Sequence, residues 1–355
     1  MRLADLALPL DLATMEAKLV AEVPRGDGWR FEPKWDGFRC LAFRAGAEVE
    51  LRAKSGKSLT RYFPDVAAML AATAVDRFVV DGELVIEVDG VLSFEALQLR
   101  LHPAQSRVSK LAAAHPAGLV LFDCLLDPEG RSLAPAPLRQ RRAALEALHA
   151  SLGGPERLRL SPGTQDREEA CGWLDEVGQA LDGVIAKRLD DPYLAGERGM
   201  LKIKRMRTAD CVVGGFRYAQ DGRGVGSLLL GLYDGAGRLD HVGFTSTISD
   251  AERPALTRKL EQLAGGEGFT GRAPGGTSRW STERSAEWTA LRPELVVEVR
   301  YDQVTGERFR HGTSLLRWRP DKSPRQCLMD QLTPEAAPGR LVRALSTGAE
   351  RGRGG

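Results

Sequence analysis

Near residue 207 the hydrophobic pattern of this chain changes character, which limits it to folds built from two unlike parts. Before that point, short β-type runs at 38–44, 78–88, 118–125 and 183–188 alternate with helical periodicity at 62–72, 138–150 and 165–180, an α+β pattern. After it come glycine-punctuated strands at 211–218, 227–233 and 239–244, a helical stretch at 250–263 and a strand around 295–301. Five or so short strands with one helix predict a small β-barrel. A length of 355 residues suits two domains with cores large enough to need no staples. The expected division is 1–207, 208–335 and a basic tail at 336–355 whose arginines and glycines predict disorder. Residues 265–282, rich in Gly, Ser, Arg and Pro, read as an exposed loop that either touches nucleic acid or is solvated.

No apolar run approaches the ~20 residues that span a bilayer, so no membrane association is expected. Asp5, Asp11 and Glu16 interrupt the N-terminal segment where a signal peptide needs an apolar stretch, and a cytoplasmic location is expected. Five singly placed cysteines without a CxxC pair predict reduced, buried thiols rather than a zinc site. The net charge of +2 does not announce a polyanionic partner, but its make-up is informative. Only ten of the fifty basic residues are lysines, so the positions that remain lysine stand out. Lysine can lose its proton and act as a nucleophile, and arginine cannot.

Glu32-Pro33-Lys34-Trp35-Asp36-Gly37-Phe38-Arg39 sets a lysine after a proline-stiffened strand end and before a glycine turn, which holds the amine in a fixed place. A lysine nucleophile must be neutral, a state that desolvation or neighbouring cations promote. Asp81-Gly82-Glu83 reads either as two carboxylates on one face of a strand or as a hairpin turn. Phe122, near the end of an apolar strand, either stacks on a base or fills the core. Asp182 and Lys187, five positions apart, fall on opposite faces unless a bulge intervenes at Gly183. Lys202 and Lys204, two apart, project side by side while Leu201 and Ile203 face the other way; such a pair suits a polyphosphate or, on an exposed edge, only solvent. Arg317-Trp318-Arg319-Pro320-Asp321-Lys322 gathers cations around a carboxylate, or is an ordinary stacked Arg–Trp pair. No GxxxxGK[ST] loop is present.

In their order and rough spacing these stretches match the motifs of covalent nucleotidyltransferases, and together they resemble ATP-dependent DNA ligases. Ser55-Gly56-Lys57 to Arg61-Tyr62-Phe63-Pro64, Arg292-Pro293-Glu294 and Phe309-Arg310-His311 look like the small bacterial ligases of the C type, so the likeness covers nearly the whole chain. The resemblance implies a nucleotidyltransferase (adenylation) domain with antiparallel sheets, followed by a C-terminal OB-fold β-barrel. It implies that Lys34 attacks the α-phosphate of ATP, that AMP passes to the 5′-phosphate of a nick, and that a 3′-hydroxyl then closes the strand. Lys202, Lys204 and Arg39 would share the catalytic work, with Glu32, Arg39, Glu83, Phe122 and Lys187 around the nucleotide. Within that set, Glu83 would hold ribose or metal and Phe122 would stack on adenine. Asp182, where the family more often has glutamate, would bind magnesium or manganese. Arg319, Asp321 and Lys322 would serve the pyrophosphate in the first step. Lys54, where many relatives carry arginine, would contact DNA. The partners implied are nicked duplex DNA and, for a minimal enzyme of repair, a gap-filling polymerase or end-joining factors; a monomer is expected. An RNA ligase or a capping-type guanylyltransferase is the nearest rival, and a non-catalytic OB-fold binder is the rival of a different class.

Overall fold

The computed structural model describes residues 1–175, 181–220, 222, 224–275 and 287–332. The expected tail at 336–355, part of the expected loop at 265–282 and the end of the helix expected at 165–180 lie outside the described residues. The chain divides into two compact units, Met1–Arg205 and Met206–Glu335. No helix among the described residues is long and apolar enough to cross a membrane. All five cysteines are free; four are buried, and Cys171 is partly exposed.

In the first unit the strands are β1 (Ala17–Val20), β2 (Trp29–Trp35), β3 (Phe38–Ala45), β4 (Glu48–Ala53), β5 (Arg77–Val88), β6 (Val91–Leu92), β7 (Ala117–Leu126), β8 (Leu158–Leu160), β9 (Leu181–Arg188) and β10 (Met200–Ile203). Among the described residues the α-helices are α1 (Pro64–Ala71), α2 (Phe94–Arg100), α3 (Gln105–Ala114), α4 (Leu138–Ser151) and α5 (Arg167–Asp175). Proline at the start of α1, with Asp65 in its first turn, suits a helix N-terminus that has spare N–H groups and a positive dipole end. Helix α4 buries Leu138, Arg141, Arg142, Leu145 and Leu148, a stripe at helical spacing laid against β7. One sheet runs β1-β10-β9-β2 and a larger one runs β4-β3-β5-β7-β8. They are mixed rather than wholly antiparallel as expected, because β1 joins β10 and β8 joins β7 in parallel. Asp81-Gly82 is not a hairpin, since β5 passes straight through it. Gly37 turns β2 into β3 where a Cβ would stand 2.2 Å from the Leu84 carbonyl oxygen, so only glycine allows that approach.

The second unit has β11 (Arg207–Tyr218), β12 (Val225–Tyr233), β13 (Leu239–Thr245), α6 (Arg253–Glu261), β14 (Thr289–Ala290), β15 (Val296–Tyr301), β16 (Val304–Thr305), β17 (Arg308–Phe309) and β18 (Ser314–Trp318). Its main sheet runs β13-β12-β11-β15-β18, antiparallel throughout, over a core that includes Val212, Phe216, Leu228, Leu230 and Val297. The expected closed barrel is not formed by the pairings among the described residues. Closure needs a ladder between β13 and β18, and one parallel bridge, Thr245 to Thr313, is what joins those two ends.

Candidate active site

A cleft of about 400 Å³ in the first unit is lined from both of its sheets. Glu32 and Lys34 come from β2, Arg39 from β3, Glu83 from β5, Phe122 from β7, Lys187 from β9 and Lys202 from β10, with Lys54 just beyond β4. Eight residues singled out from the sequence thus meet in one place.

Two bulges aim the decisive side chains. Lys34 pairs with Gly183 and Trp35 with Leu181, so Asp182 is the extra residue on β9, a bulge beside Gly183, the alternative that the offset to Lys187 left open. Gly183 has φ +139°, and a Cβ there would lie 2.0 Å from the Ile203 carbonyl oxygen, so β9 and β10 come this close only with glycine. Asp81 pairs with Asp123 and Gly82 with Leu121, which makes Phe122 the extra residue on β7. Nothing in the sequence foretold that second bulge.

Lys34 Nζ is ion-paired with Asp182 Oδ2, and Lys204 Nζ lies 3.1 Å from the same oxygen. Asp182 Oδ1 is buried and has no hydrogen-bond partner, which leaves one carboxylate oxygen available to a donor or cation. Lys202 lines the cleft while Leu201 and Ile203 pack into the core behind it, the split between faces that period two predicts. Lys204, one residue past β10, turns to Asp182 instead of lining the cleft. Burial, and then the charges of Lys204, Lys34 and Lys54, hold the Lys202 ammonium below its usual pKa.

Arg39 stands opposite Glu83 in the β3–β5 register but reaches diagonally to Asp81, with Nε 2.9 Å from Oδ1 and Nη2 2.6 Å from Oδ2. Tyr193 donates to the same Asp81 at 2.6 Å and accepts from the Met15 amide, so three chain segments fix the guanidinium. Arg39 lies 5.1 Å and Lys187 4.8 Å from the centre of the Phe122 ring. Lys187 also lies 2.7 Å from Glu32 Oε2, deep in the floor of the cleft. Burial alone would raise the Glu32 pKa, yet Lys187 and Arg30 hold it below the usual carboxylate value. We expect Lys187→Met, which leaves that buried carboxylate with Arg30 as its remaining partner, to cost about 1–3 kcal/mol of stability. Thermal unfolding checks this, and adding Glu32→Gln should recover much of the loss.

Glu83 behaves in the opposite way. Burial raises its pKa from 4.5 to about 8 against the pull of Lys34 and Arg39, so the carboxyl is neutral at pH 7 in the folded chain. Because the folded state then binds the proton more tightly, the stability this group contributes is complete below about pH 4.5 and is lost as pH rises through 8. Glu83→Gln, which cannot ionise, should therefore gain in melting temperature relative to the natural protein between pH 5 and pH 8 and hold that gain above it. A difference that stays flat over the whole range would mean Glu83 is already ionised.

Lys54 sits at the rim, 3.0 Å from Glu16 Oε1, and Arg198 lines the same rim. Neither Glu16 nor Arg198 was marked by a motif. Arg319, Asp321 and Lys322 belong to the second unit, where Arg319 and Lys322 bind Asp210, another residue without a motif. Among the described residues no three His, Cys, Asp or Glu side chains gather as a metal site.

Cations and carboxylates set around Lys34 and the Phe122 ring suit an enzyme that holds a nucleotide by its phosphates and its base. Residues 12–204 match the ATP dependent DNA ligase domain, and residues 221–322 match the ATP dependent DNA ligase C terminal region. The chain is 44% identical over 348 residues to DNA ligase C2 of Mycolicibacterium smegmatis, covering 92% of this chain and 96% of that protein. It is 35% identical over 314 residues to the multifunctional non-homologous end joining DNA repair protein LigD of Mycobacterium tuberculosis, covering 85% of this chain and 37% of that one. A solved structure of a Lig E DNA ligase aligns with a TM-score of 0.55 at 16% identity, covering 87% of this chain and 100% of that chain, a likeness of fold alone. The chain belongs to the ATP-dependent DNA ligase family.

Proposed function

We propose that this enzyme seals nicks between a 5′-phosphate and a 3′-hydroxyl in duplex DNA, carrying AMP on Lys34. The convergence of Lys34, Lys202, Phe122 and Glu83 on one cleft, with Asp182 held against Lys34, is the observation that carries this reading. In the first step Lys34 Nζ forms a bond to the α-phosphorus of ATP while the bond to the bridging oxygen breaks and pyrophosphate leaves with the electron pair. Asp182 Oδ2 is the nearest acceptor for the lysine's proton. AMP then passes to the 5′-phosphate, and the 3′-hydroxyl displaces it to close the strand. Each step is a phosphoryl displacement, so positioning and charge neutralisation matter more than acid or base work.

Lys202 would neutralise the α-phosphate and Phe122 would stack on adenine. A neutral Glu83 suits a hydrogen bond to a ribose hydroxyl better than it suits a metal ion. The partnerless Oδ1 of Asp182 is the protein oxygen best placed for magnesium or manganese, which would be held otherwise by phosphate oxygens and water. Such an ion, when bound, would neutralise phosphate charge. Arg319, Asp321 and Lys322 would serve pyrophosphate in the first step, and Lys54 and Arg198 would meet the nick phosphate. We assign the second unit to the OB-fold; its strand order and the parallel Thr245 to Thr313 bridge support that assignment. The likeness to LigD supports a repair role beside end-joining factors or a gap-filling polymerase. A monomer in the cytoplasm completes the proposal.

The test is a matched set of 5′-phosphorylated nicked duplexes, DNA and RNA, with ATP or GTP. Faster sealing of the DNA nick with ATP is expected. Labelling by GTP would point to a capping-type enzyme, and preference for the RNA nick to an RNA ligase.

A further inference from the structure

Asp210 lies on β11 of the second unit, with its side chain 14% exposed, and it organises the cationic run that ends that unit. Arg319 Nη1 lies 2.9 and 3.1 Å from its two oxygens, and Lys322 Nζ lies 2.8 Å from Oδ2. The backbone of Asp210 is pinned in turn by Gln331, whose Oε1 accepts from its amide at 2.9 Å and whose Nε2 donates to its carbonyl at 3.2 Å. On its other side Arg319 donates from Nε and Nη2 to Asp321, so all three guanidinium nitrogens are engaged. The two carboxylates are not equivalent. Asp321 takes the two-nitrogen fork of the guanidinium but is 63% exposed and screened by water, whereas the Asp210 contact, made by Nη1 to both oxygens, is shielded. Arg319 and Lys322 leave the chain three residues apart, and what brings their charged ends together is the single carboxylate of Asp210.

We infer that Asp210 is a positioning residue for lysine adenylation, holding Arg319 and Lys322 as one preformed dicationic grip for the leaving pyrophosphate. This rests on the reading that Arg319 and Lys322 serve the first step. Asp210 touches no reacting atom and acts through those two side chains. Asparagine at 210 keeps the shape but removes the negative charge that offsets the two cations, so their charged ends repel one another and are held far less tightly.

The test measures two reactions on the full chain: labelling of the protein by ATP, and sealing of a nick whose 5′ end already carries AMP. Asp210→Asn should slow labelling about tenfold or more, the scale of loss when an aligned group is misplaced. Sealing of the pre-adenylated nick should change by less than about twofold, a split that general damage to the fold would not produce. Added to the double variant Arg319→Ala, Lys322→Ala, Asp210→Asn should slow labelling no further, since a residue that acts through two others has nothing left to position. Three results would overturn the inference. Labelling at the natural rate in Asp210→Asn, while Arg319→Ala is slow, would show that Asp210 positions nothing. An equal loss in both reactions would assign it to the fold. Normal labelling in Arg319→Ala would remove the first-step reading on which the inference rests.

Discussion

Lys34→Ala is expected to abolish both labelling by ATP and ATP-driven sealing of a phosphorylated nick, yet to retain sealing of a nick that already carries AMP. The reasoning is chemical. Lys34 and Lys204 share the Asp182 carboxylate, but Lys34 lines the cleft and Lys204 does not, and arginine cannot replace lysine because it does not lose its proton. Lys34→Arg should therefore be as inactive in the first step as Lys34→Ala. The alanine variant removes one arm of the Asp182 ion pair, and Lys204 continues to neutralise that carboxylate, so the fold should survive. Loss of sealing on the pre-adenylated nick would mean that Lys34 matters to more than AMP transfer. Labelling of Lys34→Ala would move the covalent bond to another residue.

The second large effect is expected at Lys202. Its ammonium lines the cleft with Leu201 and Ile203 packed behind it, and its neighbours Lys34 and Lys54 contribute to lowering its pKa. Several cations gathered against their mutual repulsion are favourable once an anion is present, and most of all when charge develops on a transferring phosphoryl group. Removing one such donor typically slows the chemical step by about 10²–10³. Lys202→Ala should show that loss in single-turnover labelling, with a smaller change in ATP binding. A variant that binds ATP weakly but reacts at the natural rate would make Lys202 a binding residue only.

Much of this site was legible because its residues announce themselves by spacing. Period two set Lys202 and Ile203 on opposite faces, whereas the odd offset between Asp182 and Lys187 left open whether a bulge intervenes, and β9 contains one. Local pattern could not reveal what depends on distant pairing. Phe122 enters the cleft through a bulge visible only from the β5–β7 register, and Asp81 serves Arg39 from the neighbouring strand. Glu16 and Arg198 stand on segments without periodicity and reach the rim through the parallel β1–β10 pairing and the loop before β10. Asp210 sits 109 positions from Arg319. The strand β4 and the helices α2 and α3 were likewise missed. Helix α2 is seven residues long, and its start is marked by a serine cap from Ser93 to the Ala96 amide rather than by a long apolar stripe.

The most direct test is to incubate the purified protein with α-labelled ATP and magnesium or manganese, then chase with 5′-phosphorylated nicked DNA and resolve the products under denaturing conditions. The account predicts a labelled protein band that nicked DNA depletes as joined strands appear. A protein that stays unlabelled after any bound AMP has been removed with pyrophosphate would contradict the covalent mechanism.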